Sequence, residues 1–247
     1  MRRQPWVVPL AGSLAVCTPA AFADTEFEIE CSVSCQAAFE GAVEDIAAAL
    51  NYKALGPAEA TGITGVGVGA FVSYTPVEND ADWRTLTGTD VDAVGMAGIV
   101  ATKGLPFGLD VGAFYTAVPD TSVQAYGAEL RYAVLEGGVA EPALAVRGGY
   151  TATSGIDDFD YEAYSADVSL SKGFVFLTPY IGAGYIWATA TPEGDAAEPP
   201  VGLDEVDVDS ERLFAGLRVS LGLLEMTPEY ERIGDNNAYN LRVGLSF

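Results

Sequence analysis

Asn240-Leu-Arg-Val-Gly-Leu-Ser-Phe247 closes the chain, and its alternation decides the fold. Leu241, Val243, Leu245 and Phe247 share one face of an extended strand. Asn240, Arg242, Gly244 and Ser246 share the other. Successive side chains of a strand point to opposite sides, so this stretch meets apolar matter on one side and polar matter on the other. The same period of two begins at Gly62 and recurs to the C-terminus.

Working back from that stretch, strands are expected near 62–74, 91–103, 107–118, 123–135, 141–153, 160–173, 177–190, 209–223, 226–234 and 238–247. Their apolar faces are clearest at Val66/Val68/Ala70/Val72/Tyr74, Tyr126/Ala128/Leu130/Tyr132/Val134 and Leu213/Ala215/Leu217/Val219/Leu221. Most are as long as the ~9–11 residues a tilted strand needs to cross a bilayer. In the second, Gly and Ala occupy both faces. In the ninth, Glu229, Glu231 and Arg232 crowd a short run, so an eight-strand barrel with one of these reassigned is the alternative. Strands 1–2, 5–6 and 7–8 are joined by longer acidic segments, notably 75–90 and 191–208. Strands 2–3, 4–5 and 8–9 are joined by tight turns such as Gly104-Leu-Pro and Gly137-Gly. Short turns at one end and longer loops at the other are the habit of membrane-spanning barrels. The expected fold is all-β: an antiparallel transmembrane β-barrel of about ten strands over 62–247. A soluble β-sandwich would leave the aromatic outward faces and the loop alternation without a cause.

The N-terminus reads as an export signal. Arg2 and Arg3 precede a largely apolar run, Trp6 to Val16, and Ala21-Phe22-Ala23 is a small-x-small cleavage site. Leu14-Ala-Val-Cys17 loosely resembles a lipobox, with Val16 a poor fit, so a mature chain from Asp24 is the expectation. Cleavage of 1–23 removes two arginines and no acid, leaving 10 basic against 35 acidic side chains and a formal charge of −25. So acidic a chain does not bind nucleic acid by neutralising phosphates, and it lacks the basic face of a peripheral membrane binder. With 49% hydrophobic residues and clear alternation, it is not a disordered acidic chain.

Residues 24–61 differ from the rest. Phe39, Val43, Ile46, Ala47 and Leu50 repeat at helical spacing over Gln36 to Leu50, with acids between, which predicts a short amphipathic helix. Leu55-Gly-Pro-Ala-Glu ends it. This segment is expected on the periplasmic side, plugging the barrel mouth or closing its base. Cys31 and Cys35 in an exported chain predict a local disulfide. Two thiolates without any histidine make a weak metal site, and the spacing is not that of a C-x-x-C redox pair.

Two resemblances add to this. A terminal strand ending on Phe247 resembles the signal by which Gram-negative outer-membrane barrels are recognised by their assembly machinery. It implies an integral outer-membrane protein in contact with outer-membrane lipid. The run Ala49-Leu-Asn-Tyr-Lys-Ala-Leu-Gly-Pro-Ala-Glu-Ala-Thr-Gly-Ile-Thr-Gly-Val-Gly-Val-Gly69 resembles the lead-in to the first strand in a group of uncharacterised proteobacterial outer-membrane β-barrels. That group carries a Tyr-Lys, Pro-Ala-Glu and Gly-Ile-Thr-Gly series. The likeness implies location and fold, and no activity.

The chain contains no histidine. Barrel enzymes of the phospholipase, lipid A deacylase and omptin-like kinds use one as general base, the side chain best placed to move protons near neutral pH. No G-x-S-x-G or Ser-x-x-Lys is present, so no catalytic residues and no cofactor are assigned. The Gly-x-Gly repeats at 65–69 lie in a strand with no following helix. They fit relief of crowding inside a narrow barrel better than a nucleotide loop. Parity points Asp110, Glu129, Arg131, Arg147, Asp167, Arg218, Glu229, Glu231 and Arg242 into the lumen. Confined charges must be paired or hydrated. They either interlock into a closed structural barrel or line a narrow, gated, porin-like channel for small solutes. Acids crowd the connections, above all Asp204, Asp207 and Asp209. Carboxylates at that spacing can coordinate divalent cations, although the run lacks the Gly and final Glu of an EF-hand loop. A solvated loop kept soluble by its charge is the simpler reading, and the alternative to a channel is a closed structural or surface-interaction barrel acting through its acidic extracellular loops.

Overall fold

The computed structural model describes residues 29–31, 33, 35–138 and 140–247. The expected signal peptide, and residues 24–28 of the segment after it, lie outside the described residues. Ten antiparallel strands form a closed barrel: β1 (Val66–Pro76), β2 (Ala93–Gly104), β3 (Leu109–Ala117), β4 (Gln124–Glu136), β5 (Ala143–Ser154), β6 (Phe159–Ser171), β7 (Leu177–Pro192), β8 (Val206–Leu221), β9 (Leu224–Ile233) and β10 (Asn236–Ser246). Each strand pairs with its neighbours in the chain. The terminal strand closes on the first, with Tyr74 opposite Tyr239 and Gly67 opposite Ser246. Closure satisfies both sheet edges, which a membrane interior demands.

Both doubtful strands are present. The small residues of β2 have a steric cause: a Cβ on inward Gly98 would stand 2.7 Å from Thr116 and 2.9 Å from the Phe71 ring. In β9 the crowded charges separate by parity, Glu229 and Glu231 inward and Arg232 outward. The connection between β5 and β6 is shorter than the acidic segment expected there, only 155–158, because Phe159 already pairs with Pro192 across β7.

The exterior is banded. Tyr74, Tyr115, Tyr126, Tyr164, Trp187, Tyr230 and Tyr239 point outward toward the end that carries the long connections 77–92 and 193–205. Tyr150, opposite Tyr164 on β5, adds to this ring with its side chain 5.0 Å from Tyr164, and Tyr230 and Tyr239 lie 5.6 Å apart. At the opposite, short-turn end the exposed aromatics include Phe107, Tyr132, Phe174, Phe176 and Phe247. Between them lie exposed Val72, Ile99, Leu130, Val168, Ile181 and Val243. A continuous apolar belt of this kind, closed at both rims by aromatics, is the exterior of a barrel solvated by lipid. Beyond the ring, outward Glu162 and Asp207 return the surface to water, and Asp209 and Glu211 stand level with Trp187 and Tyr185 across the β7–β8 ladder.

Helix α1 (Gln36–Leu50) forms where its spacing predicts, but it is not half-solvated. Phe39, Val43, Ile46 and Leu50 pack with Leu86, Ile186, Val206 and Ile233 inside the long-connection end. Part of that lining comes from a second helix, α2 (Asp80–Thr87), within the β1–β2 connection. It ends on Gly88, whose φ of 67° returns its N–H to the Arg84 carbonyl at 3.0 Å. Ahead of α1, Ile29 N–H donates to Asp158 at 2.7 Å and Glu30 N–H to the Leu86 carbonyl at 2.9 Å, both at the same end. Residues 51–61 then run down the lumen. Gly62, with φ of 81°, turns the chain into β1, and it lies so close to Gly104 that a Cβ there would stand 1.9 Å from its carbonyl oxygen. The segment therefore fills the barrel and does not sit under its short-turn base. The helix sits at the long-connection end, where its apolar residues find a lining, and the chain threads the barrel from that end to the other.

Candidate functional site: the threaded lumen

A ten-stranded barrel leaves a narrow interior once inward side chains fill it. Here the thread takes that room. Asn51 to Ala58 are buried, and barrel charges engage the thread at successive levels. Nearest the helix, Lys53 Nζ contacts Glu231 at 2.8 Å and donates to the Ala48 carbonyl at 2.8 Å. Arg212, wholly buried, bridges Glu231 and Asp167. Arg147 pairs with Asp167 at 2.9 Å and Glu129 at 3.5 Å, and donates to the Ala54 carbonyl at 3.0 Å. The Phe214 ring lies beneath both guanidiniums, 5.5 Å from Arg147 and 5.1 Å from Arg212.

Lower down, Glu229 accepts from Leu55 N–H at 3.0 Å, Tyr180 hydroxyl at 2.7 Å and Asn240 at 3.2 Å. Arg131 pairs with Asp110 at 2.7 Å and donates to the Pro57 carbonyl at 2.9 Å. Asp110 also accepts from Thr61 N–H at 3.1 Å. Ala58 N–H donates to Ser171 at 3.1 Å. At the short-turn end Arg218 pairs with Glu59 of the thread and with Glu225. Each hydrogen bond from barrel to thread backbone satisfies a group that water reaches poorly, and charged partners make the stronger bonds.

All nine lumenal positions read from parity thus lie inside, and eight of them join this ladder; Arg242 stands somewhat apart. Arg212 belongs to the same set. The alternation that turns Arg218 inward turns Arg212 inward too, so parity alone could have found it. Lys53, Glu59 and Asp45 carry no periodic signal. Buried Asp45 on α1 accepts from Glu78 N–H at 3.1 Å, Asn79 N–H at 3.2 Å, Trp83 Nε1 at 2.9 Å and Asn236 Nδ2. It ties the helix to the β1–β2 connection and to β10. Cys31 and Cys35 are joined by a disulfide immediately before the helix.

The loop acids are not gathered. Asp204 lies in the β7–β8 connection, its N–H donating to Gln36 at 2.8 Å, and outward Asp207 accepts from Thr189 at 2.8 Å. Asp209 follows on the same outward face of β8. Among the described residues no group of three or more His, Cys, Asp or Glu side chains is placed to hold a metal ion.

No family model and no curated protein matches the chain. Among solved structures, the N-terminal β-barrel domain of Pseudomonas aeruginosa OprF is 13% identical, with 75% of this chain and 99% of that one covered, at a TM-score of 0.37. Ail, the attachment invasion locus protein of Yersinia pestis, is 12% identical over 74% and 97%, at 0.33. LpxR from Salmonella typhimurium is 10% identical over 63% and 74%, at 0.37. At such identities and TM-scores these likenesses carry no argument about activity or partners.

Proposed function

We propose that the chain is an integral Gram-negative outer-membrane barrel that is closed by its own N-terminal segment and acts at the cell surface through its acidic outer end. The observation that carries this is the thread. Residues 51–61 occupy the lumen from Lys53–Glu231 to Glu59–Arg218, tied at each level to barrel charges. Short turns face the periplasm in such barrels, which puts α1, the Cys31–Cys35 loop and the acidic connections outside. Lipid covers the belt, and the strand ending on Phe247 serves the assembly machinery. The Tyr52-Lys53 and Pro57-Ala58-Glu59 series that resembles the proteobacterial group falls on the buried thread, so that likeness belongs to the plug. A chain without histidine offers no ready general base, which favours a non-enzymatic role.

Planar-bilayer recording of refolded 24–247 tests this reading. No steady openings are expected. Flickering openings are expected from the double variant Lys53→Ala/Glu59→Ala, which unties the thread at both ends. Steady, ion-selective openings from the unaltered protein would instead establish the narrow, porin-like channel, which requires 51–61 to leave the lumen or to pass solutes beside it.

A further inference from the structure

Arg242 differs from the other lumenal arginines. Its side chain is 9% exposed, yet among the described residues it alone of them has no carboxylate within 4.0 Å. Its Nη1 reaches only the Leu55 carbonyl, at 3.4 Å, and its Nε has no hydrogen-bond partner. The Nε–Nη2 edge, the fork by which a guanidinium grips an oxyanion, is therefore unused. The group lies against two inward glycines. A Cβ on Gly69 would stand 2.9 Å from Nε, and one on Gly67 3.3 Å from Nη2.

Beside it is a cavity of about 240 Å³, bounded by Leu55, Thr61, Thr102, Arg218, Arg242 and Ser246. Arg218 Nε also lacks a hydrogen bond. Three carboxylates reach the cavity wall: Glu59 and Glu225 are paired there with Arg218, whose Nε stands 3.7 Å from Glu225, and Glu129 is paired with Arg147, so none contacts Arg242. Thr61 and Ser246 place the cavity at the short-turn end. A buried guanidinium with no carboxylate in contact is costly, and a bound anion lowers that cost.

We propose that this cavity binds a small oxyanion, a carboxylate or phosphate group, entering from the short-turn end, with Arg242 as its main donor and Arg218 as the second. The site rests on the threaded lumen proposed above, since Leu55, Pro57, Glu59 and Thr61 of the thread line the cavity; conductance reports on the thread, and the arginine signals below report on the site.

The test is arginine-Nε NMR on refolded, ¹⁵N-arginine-labelled 24–247 in detergent, titrated with inorganic phosphate and, separately, with acetate at constant ionic strength. The Arg242 Nε–H signal is expected to move most and saturate, with a smaller shift of Arg218, while those of Arg147 and Arg212 stay fixed. The larger shift should vanish in Arg242→Gln, and affinity should fall about tenfold in Arg242→Lys, which keeps charge but loses the fork. A response to phosphate alone, to acetate alone or to both supports the site and names its ligand chemistry. The absence of a saturable shift with either anion in the unaltered folded protein would overturn it, as would equal binding by folded Arg242→Gln.

Discussion

Glu231→Ala should lower the stability of the barrel by roughly 3–5 kcal/mol, the cost of breaking a buried ion pair from one side. Glu231 is the common partner of Lys53 on the thread and Arg212 on β8, and all three side chains are buried. Removing it takes a counter-charge from two cations in a space water enters poorly. Asp167 still holds Arg212 at 3.4 Å, but Lys53 keeps only the Ala48 carbonyl. Urea unfolding of the refolded protein, followed by heat-modifiable electrophoretic mobility, should show an earlier midpoint. Glu231→Gln should lie between the two, since it keeps an acceptor without the charge. A midpoint unchanged in Glu231→Ala would mean that the ladder does not hold the thread.

Leu217→Arg should cost ~2–4 kcal/mol in lipid, the penalty for a cation near the bilayer midplane. Leu217 lies on the outward face of β8, midway along the apolar run from Leu213 to Leu221 and well below outward Asp209 and Glu211. The neighbouring Arg218 is tolerated because it faces inward to Glu59 and Glu225. One residue of strand separates the two environments. The measurement is refolding into vesicles against denaturant. A neutral Leu217→Arg would reverse the parity of β8 and, with it, the lumenal assignment.

Much of this was legible in the sequence because it depends on period alone. Leu241/Val243/Leu245 against Asn240/Arg242/Gly244 sorts outside from inside without knowledge of any partner. Likewise, Phe39, Val43, Ile46 and Leu50 mark a helix wherever it is packed. What parity leaves open is who pairs with whom. Asp167 meets Arg147 in direct register across β5 and β6, yet Arg212 reaches it from β8, beyond the intervening β7. The thread was less legible still. Residues 51–61 are neither helix nor strand, so nothing periodic shows that Lys53 and Glu59 lie inside. The acids of α1 suggested a wet face, and Asp45 instead turned inward to satisfy backbone N–H groups of the β1–β2 connection. That hidden anchor is what allows the helix to be enclosed at the long-connection end.

The thread also gives assembly an order. The described chain starts at one rim, while β1 starts at the other, and chains seldom pass through their own closed loops. A finished cylinder would have to admit Phe39, the whole of α1 and a cystine loop through its bore. The simpler sequence of events is that the sheet curls around a segment already lying along it. The β1–β10 seam would then be the last ladder to zip, with Gly67 meeting Ser246 after the interior is occupied. A tag joined ahead of Ile29 would, by the same logic, be carried to the far side of the membrane by the act of folding.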